Sequence, residues 1–464
     1  MLSPVDIVGG AYKDDTRAFD QQDCVNWIPE AAASSGARSK SILRTPPGLT
    51  RIGGAETGVV RGLRNVEGDL YAVIAGSLYS VADDYTLTSL GSIDGVARVS
   101  MTHNQIAGGY ELVVSTGTTG YVYNTATSTF AQITDVDFPG TIICDYINSY
   151  VAHIAPDRRY WFHSDLAAAT SYLSTDRYEA EASPDLLVTL IVDHQQVIVF
   201  GERTTQFFVN EPTDTAAFQN SSGTVLEQGC GARHSPVKLD NSVLWLGNDG
   251  RVYRLNGYTA VPISTHAIEQ AISGLDWSEA FGMAWTDRGH SVYYLTFPEG
   301  FTWGYDVASG LWHRRESYQL DRWRVNCMTY WNNKWVCGDY TNGSLYFLDW
   351  DVQTENDAPM ISKRVTGYLA DSENELYLNT VALVMSTGQG ALNGDNSVWL
   401  RYSDDSGATW SSYRSKSLGA VGEYAKRIRF HRLGRFLARI FEITVSSPVK
   451  RDLIAASLDM ERGS

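Results

Sequence analysis

Between residues 58 and 352 a short apolar strand, a tight turn and a second strand recur about seven times, roughly 30 to 45 residues apart. Leu70–Ile74 and Leu78–Val81 flank Ala75-Gly76, and Leu112–Ser115 and Tyr121–Asn124 flank Thr116–Gly120. The same pattern surrounds the turns at 156–159, 201–203, 247–250, 298–300 and 339–343. Strand pairs at this interval match the blades of a β-propeller, each blade being a small antiparallel sheet. Seven blades are preferred, with six as the alternative. The fold class expected is all-β, which 26 Tyr, 13 Trp and 41 Gly support, because aromatic residues suit pleated surfaces and glycine suits turns.

The flanks read differently. Residues 1–57 lack periodicity and contain the Ala/Ser/Gly-rich stretch 30–40, so they are expected to form an N-terminal arm. Within it, Trp27 and Ile28 stand among polar residues as candidate subunit contacts, and loss of residues 1–40 is expected to leave a folded monomer. Pattern breaks at 353–359 set a boundary, and alternation through 360–464 predicts a β-sandwich. One short helix is expected at His266–Ile272, capped by Ser264 or Thr265.

Charge and cysteine usage narrow the functional classes. Lys and Arg total 37 against 53 acidic residues, a net charge of −16, which disfavours a nucleic-acid-binding surface. Five widely spaced cysteines without a C-x-x-C pair read as reduced, buried thiols of a protein made in a cytoplasm. The first ten residues do not read as a secretory leader, and no window approaches the ~18 apolar residues of a membrane span.

Ser403, Asp405, Gly407, Thr409 and Trp410 match the Asp-box pattern S-x-D-x-G-x-T-W. The pattern is turn chemistry: a carboxylate accepts backbone N–H bonds, glycine takes positive φ and tryptophan packs beneath. Asp boxes occur in sialidases, so a carbohydrate-binding or carbohydrate-active propeller is the competing reading. It needs paired carboxylates, and Glu179, Glu181 and Asp185 are the nearest cluster, more simply read as solvated loop acids. No metal-ligand spacing, nucleophile elbow or phosphate loop is present, so no catalytic residue, metal or cofactor is expected.

The run from Lys426 to Arg439 is basic in an acidic chain. Its cations partly alternate with apolar residues along a strand, leaving either a solvated face or a contact for an acidic partner surface, with Arg429 and Arg435 as candidate subunit contacts.

Three stretches carry a family resemblance in order along the chain. They are 26–30 with 44–50, 178–185 before the strand ending at Phe200-Gly201, and the C-terminal set 401–407, 434–436 and 441–449. Together they resemble the packaged-DNA stabilisation proteins, or tail hubs, of short-tailed phages of the Salmonella podophage type. Pro46-Pro47 departs from the single proline usual there. The resemblance implies a homo-oligomer of six subunits ringed beneath the portal and adaptor, in the virion tail. Such a ring retains packaged genomic DNA without sequence-specific binding and anchors the tail needle and the tailspikes or tail fibres.

Overall fold

The computed structural model describes residues 2–54, 57–180, 183–213, 216–390 and 396–463. Seven four-stranded antiparallel units form a propeller. Blades 1 to 6 span 60–92, 100–132, 143–179, 187–226, 237–262 and 281–315. Blade 7 takes three strands from 325–349 and its outermost from Gly48–Gly54. Every turn that marks the repeat in the sequence joins the second and third strands of a blade.

Apolar clusters between neighbouring blades hold the ring together. One lies between blades 7 and 1, where Val60, Leu70 and Ile74 meet Trp331, Val336 and Phe347. The indole of Trp331 also donates to the Gly68 carbonyl at 2.7 Å. First and second strands are joined by two-residue turns, and in six blades both turn residues have positive φ, as at Asn148-Ser149 and Asn332-Asn333. That geometry matches the right-handed twist of the strands it joins.

Residues 2–54, the described part of the expected arm apart from 57, do not form a separate arm. Gly48–Gly54 pairs antiparallel with Ser344–Asp349, so a strand from the start of the chain fastens the last blade. Ile28–Ala31 and Ser41–Arg44 form a hairpin, and Leu43 in its second strand pairs with Leu453. Gln21–Val25 touches blade 6 at Arg314 on one side and pairs with Ser362–Val365 on the other. An irregular sequence is ordered here because its backbone groups complete sheets made by residues far along the chain.

The C-terminal region folds as a β-sandwich that includes these N-terminal strands. One sheet runs 28–31, 41–44, 453–462, 376–385 and 428–436, with Ser3–Val5 added beside 453–462. The other continues outward from blade 6 through 21–25, 362–365, 438–445, 397–403 and 414–417. Leu378, Val381, Leu383, Leu400, Phe430 and Ile443 fill the space between the sheets. The helix His266–Ile272 is present, yet neither expected cap hydroxyl serves it. Ser264 bonds Glu269 and the Val252 amide instead, and Thr265 makes no side-chain cap bond.

Candidate assembly surfaces

Trp27 and Ile28 are wholly buried within their own chain, so they are not surface contacts. Trp27 enters the core shared by the sandwich and blades 5 and 6, and its indole donates to the Arg451 carbonyl at 3.2 Å. Ile28, on the opposite side of the extended backbone, enters the core between blades 6 and 7. Asn26, at positive φ, orients both. Its side-chain amide donates to the carbonyls of Glu316 and Ile361 at 2.9 and 2.8 Å.

Around this junction lies a buried polar network. Arg315 donates to the Pro47 carbonyl at 2.7 Å and to Glu355 at 2.8 Å. Glu355 also accepts from Trp323 at 3.0 Å and from the Ser317 hydroxyl. Arg451 donates to Ser362 Oγ at 2.7 Å and to the Ser447 carbonyl at 2.8 Å, and burial pulls its guanidinium down to about 9. Arg364 holds the carbonyls of Ile7 and Gly10 at 2.8 Å. Nothing in the local pattern separates these arginines from surface ones. Their role depends on carbonyls supplied from elsewhere in the chain.

The Asp-box residues close a hairpin. Ser403 Oγ donates to Asp405 Oδ1 at 2.7 Å and accepts the Gly407 amide at 2.8 Å. Asp405 accepts the Thr409 amide at 2.8 Å and its hydroxyl at 2.5 Å, bonds that hold its carboxyl down at about 2. Trp410 stacks on the Arg401 guanidinium, 4.7 Å from ring centroid to carbon, while Arg401 chelates Glu442 with two 2.8 Å bonds.

The basic run spans the edge strand Ile428–Phe436 and enters Ala438–Val445. Ile428, Phe430, Leu433 and Phe436 point into the core. Arg432 at positive φ sits at a bulge, after which inward and outward positions resume. Arg435 is largely exposed and lies 3.6 Å from Glu375. Among the described residues Arg427, Arg429 and Arg432 form no ion pair. Arg414 donates to the carbonyls of His431 and Arg432, occupying part of the free sheet edge. Arg439 differs: buried, it chelates Asp404 at 2.5 and 2.7 Å and lies over Tyr402, so it holds the fold.

Of the acids considered for hydrolysis, the two described ones, Glu179 and Asp185, serve different surroundings. Glu179 is exposed, Glu181 lies outside the described residues, and Asp185 accepts the backbone amides of Arg203 and Thr204 in a blade 4 turn. Among the described residues no three His, Cys, Asp or Glu side chains group so as to hold a metal ion. All five cysteines are buried and free.

A closed propeller continued into a sandwich, with its buried charges spent on backbone carbonyls, defines a structural scaffold. Residues 3–353 match the family described as "Bacteriophage P22 Gp10, beta-propeller" and residues 362–461 its "beta-sandwich" counterpart. The chain belongs to this Gp10 family of phage stabilisation proteins. It is therefore a non-enzymatic structural protein of the virion tail, made in the host cytoplasm, with tail components as its partners. No curated protein matches the chain. Solved structures similar to it include the computationally designed Ika8 protein, at 12% identity and TM-score 0.39, covering 65% of this chain and 99% of that one. Another is YCF48 from Cyanidioschyzon merolae, at 10% identity and TM-score 0.43, covering 65% and 98%. Likenesses at this level carry no functional argument.

Proposed function

We propose that the protein is the tail hub, six copies forming a ring beneath the portal and its adaptor. The ring retains packaged genomic DNA without reading its sequence and anchors the needle and the tailspikes or fibres. The observation that carries this reading is the family match across both domains in one chain. Two physical features support it. The propeller is fastened by its own N-terminal strand, which suits a rigid module under load. The outward cations of the edge strand 428–436, half-buried Arg429 and exposed Arg435 among them, offer a complementary patch to an acidic neighbour, and the chain itself carries net −16. The test is the native mass of the purified protein alone and after mixing with its adaptor ring. Hexamer incorporation on the adaptor is expected; a stable monomer that ignores the adaptor overturns the reading.

A further inference from the structure

At the end of the propeller bearing the turns between second and third strands, a cavity of about 350 Å³ opens over the centre of the ring. Arg98, Arg158, Glu202, Arg233, His234 and Glu279 supply its charged and titratable groups. These charged groups come from five connecting segments between blades 1 and 6, so the constellation exists only in the closed ring.

Arg98 forms the floor. It lines both this cup and a second cavity of about 230 Å³ within the bore. From the connector between blades 1 and 2 it reaches to blades 6 and 7, donating to the Asn326 carbonyl and stacking 3.8 Å over Phe281. On the wall, Arg158 is already matched by Glu202 at 2.8 Å and by the Leu187 carbonyl at 2.7 Å. Arg233 is not: among the described residues its side chain makes no hydrogen bond or ion pair, nor does that of His234. Burial, and then Arg98 and Arg233 beside it, keep His234 neutral, so it offers one N–H rather than a further positive charge.

Glu279 attracts the half-buried Arg233 guanidinium without bonding to it, so its donors stay unmatched where they face a cup floored by another guanidinium. We propose that this cup binds a carboxylate side chain of an acidic segment on a partner protein. A planar carboxylate can take two parallel bonds from Arg233. The cup is larger than a lone anion needs, and Ala97, Val188 and Cys230 line it beside the charges, so the flanking chain has apolar surface to lie on. Glu202 and Glu279 oppose a phosphate dianion more than a single carboxylate. The site stands apart from the ring arrangement proposed above, because it is complete in one subunit.

Isothermal titration of the full-length protein with end-capped triglutamate, end-capped triglutamine and inorganic phosphate tests the assignment at about 50 mM salt. Triglutamate should bind, triglutamine should not, and phosphate should bind more weakly. Arg233→Gln breaks no internal bond and should fold normally, weakening triglutamate about tenfold or more. Arg203→Gln, outside the cup, should change nothing. Raising the salt to about 0.5 M on the unmodified protein should also weaken binding. Absence of triglutamate binding, equal affinity in Arg233→Gln, salt-insensitive binding or tighter phosphate binding each overturns the proposal.

Discussion

Thr50 stands opposite Phe347 in blade 7, joining a strand near the start of the chain to the last strand pair of the propeller. The contact explains why the N-terminal residues belong to the folded core. Deleting residues 1–40 removes Trp27 and Ile28 from two separate cores, each worth about 1.5–3 kcal/mol for the side chain alone. It also removes strands from both sandwich sheets. The truncated chain is expected to be insoluble or to melt well below the full chain by calorimetry. A truncated monomer melting at the parent temperature would refute the account.

Glu355 should matter more than any surface acid. It neutralises Arg315, both side chains being 1–2% exposed. Glu355→Ala leaves that guanidinium buried and unpaired, which costs about 3–5 kcal/mol. Replacing both residues, as Arg315→Met with Glu355→Leu, should recover part of the loss, since no lone charge then remains. Urea unfolding of the single and double variants measures both effects.

Stability should fall as the solution is acidified below neutrality. Burial pushes His153 and His313 down to about 3, against about 6.5 in the unfolded chain. Between those values the unfolded state binds a proton at each position and the folded state does not. Stability is therefore fullest above pH 6.5 and drops by about 1.4 kcal/mol per pH unit per histidine as pH falls toward 3. By pH 5 these two remove about 4 kcal/mol. His153 bonds Thr141 and Tyr172, and nearby His163 is shifted in the same direction. In His153→Gln the slope of unfolding free energy between pH 5 and 6 should be shallower by about one histidine's share. An unchanged slope counts against the assignment.

Asp405 should act only on its own turn. It is exposed and binds Thr409 through both backbone and side chain. In Asp405→Ala the Thr409 amide should lose protection in hydrogen exchange, while amides of the sandwich core remain protected. Because the carboxyl is held near 2, the parent turn should keep that protection down to about pH 3.

How much was legible follows from how local each signal is. The turns between second and third strands carry glycine, proline or aspartate, as at Pro156–Arg159 and Gly247–Gly250, so all seven could be read. Turns between first and second strands include His194-Gln195 and Asp240-Asn241, non-glycine residues at positive φ that leave a weak trace. The closing strand Gly48–Gly54 was invisible because its partner is hundreds of positions away. In the sandwich, alternation from Leu376 holds only to Leu378; a register shift before Thr380 then turns Val381 and Leu383 inward. The Asp box is a local motif and could be read whole. The Arg98–Arg233 cup could not, because its residues meet only when the ring closes.

Charge reversal on the edge strand separates folding from assembly. Arg429 and Arg435 lie on the outward side of Ile428–Phe436, and the inward residues Ile428, Phe430, Leu433 and Phe436 carry the packing. The one ion pair broken, Arg435 with Glu375, is exposed, and such pairs contribute about 0–1 kcal/mol. Arg429→Glu with Arg435→Glu should therefore keep the parent's circular dichroism spectrum and melt within a few degrees of it. If the strand meets an acidic neighbour, four units of charge change per subunit turn attraction into repulsion across every copy of that interface. The variant should then sediment as a monomer in the presence of the adaptor ring and fail to enter tails when supplied in trans. Incorporation at the parent level, with the packaged genome retained, would place the subunit contacts elsewhere on the molecule.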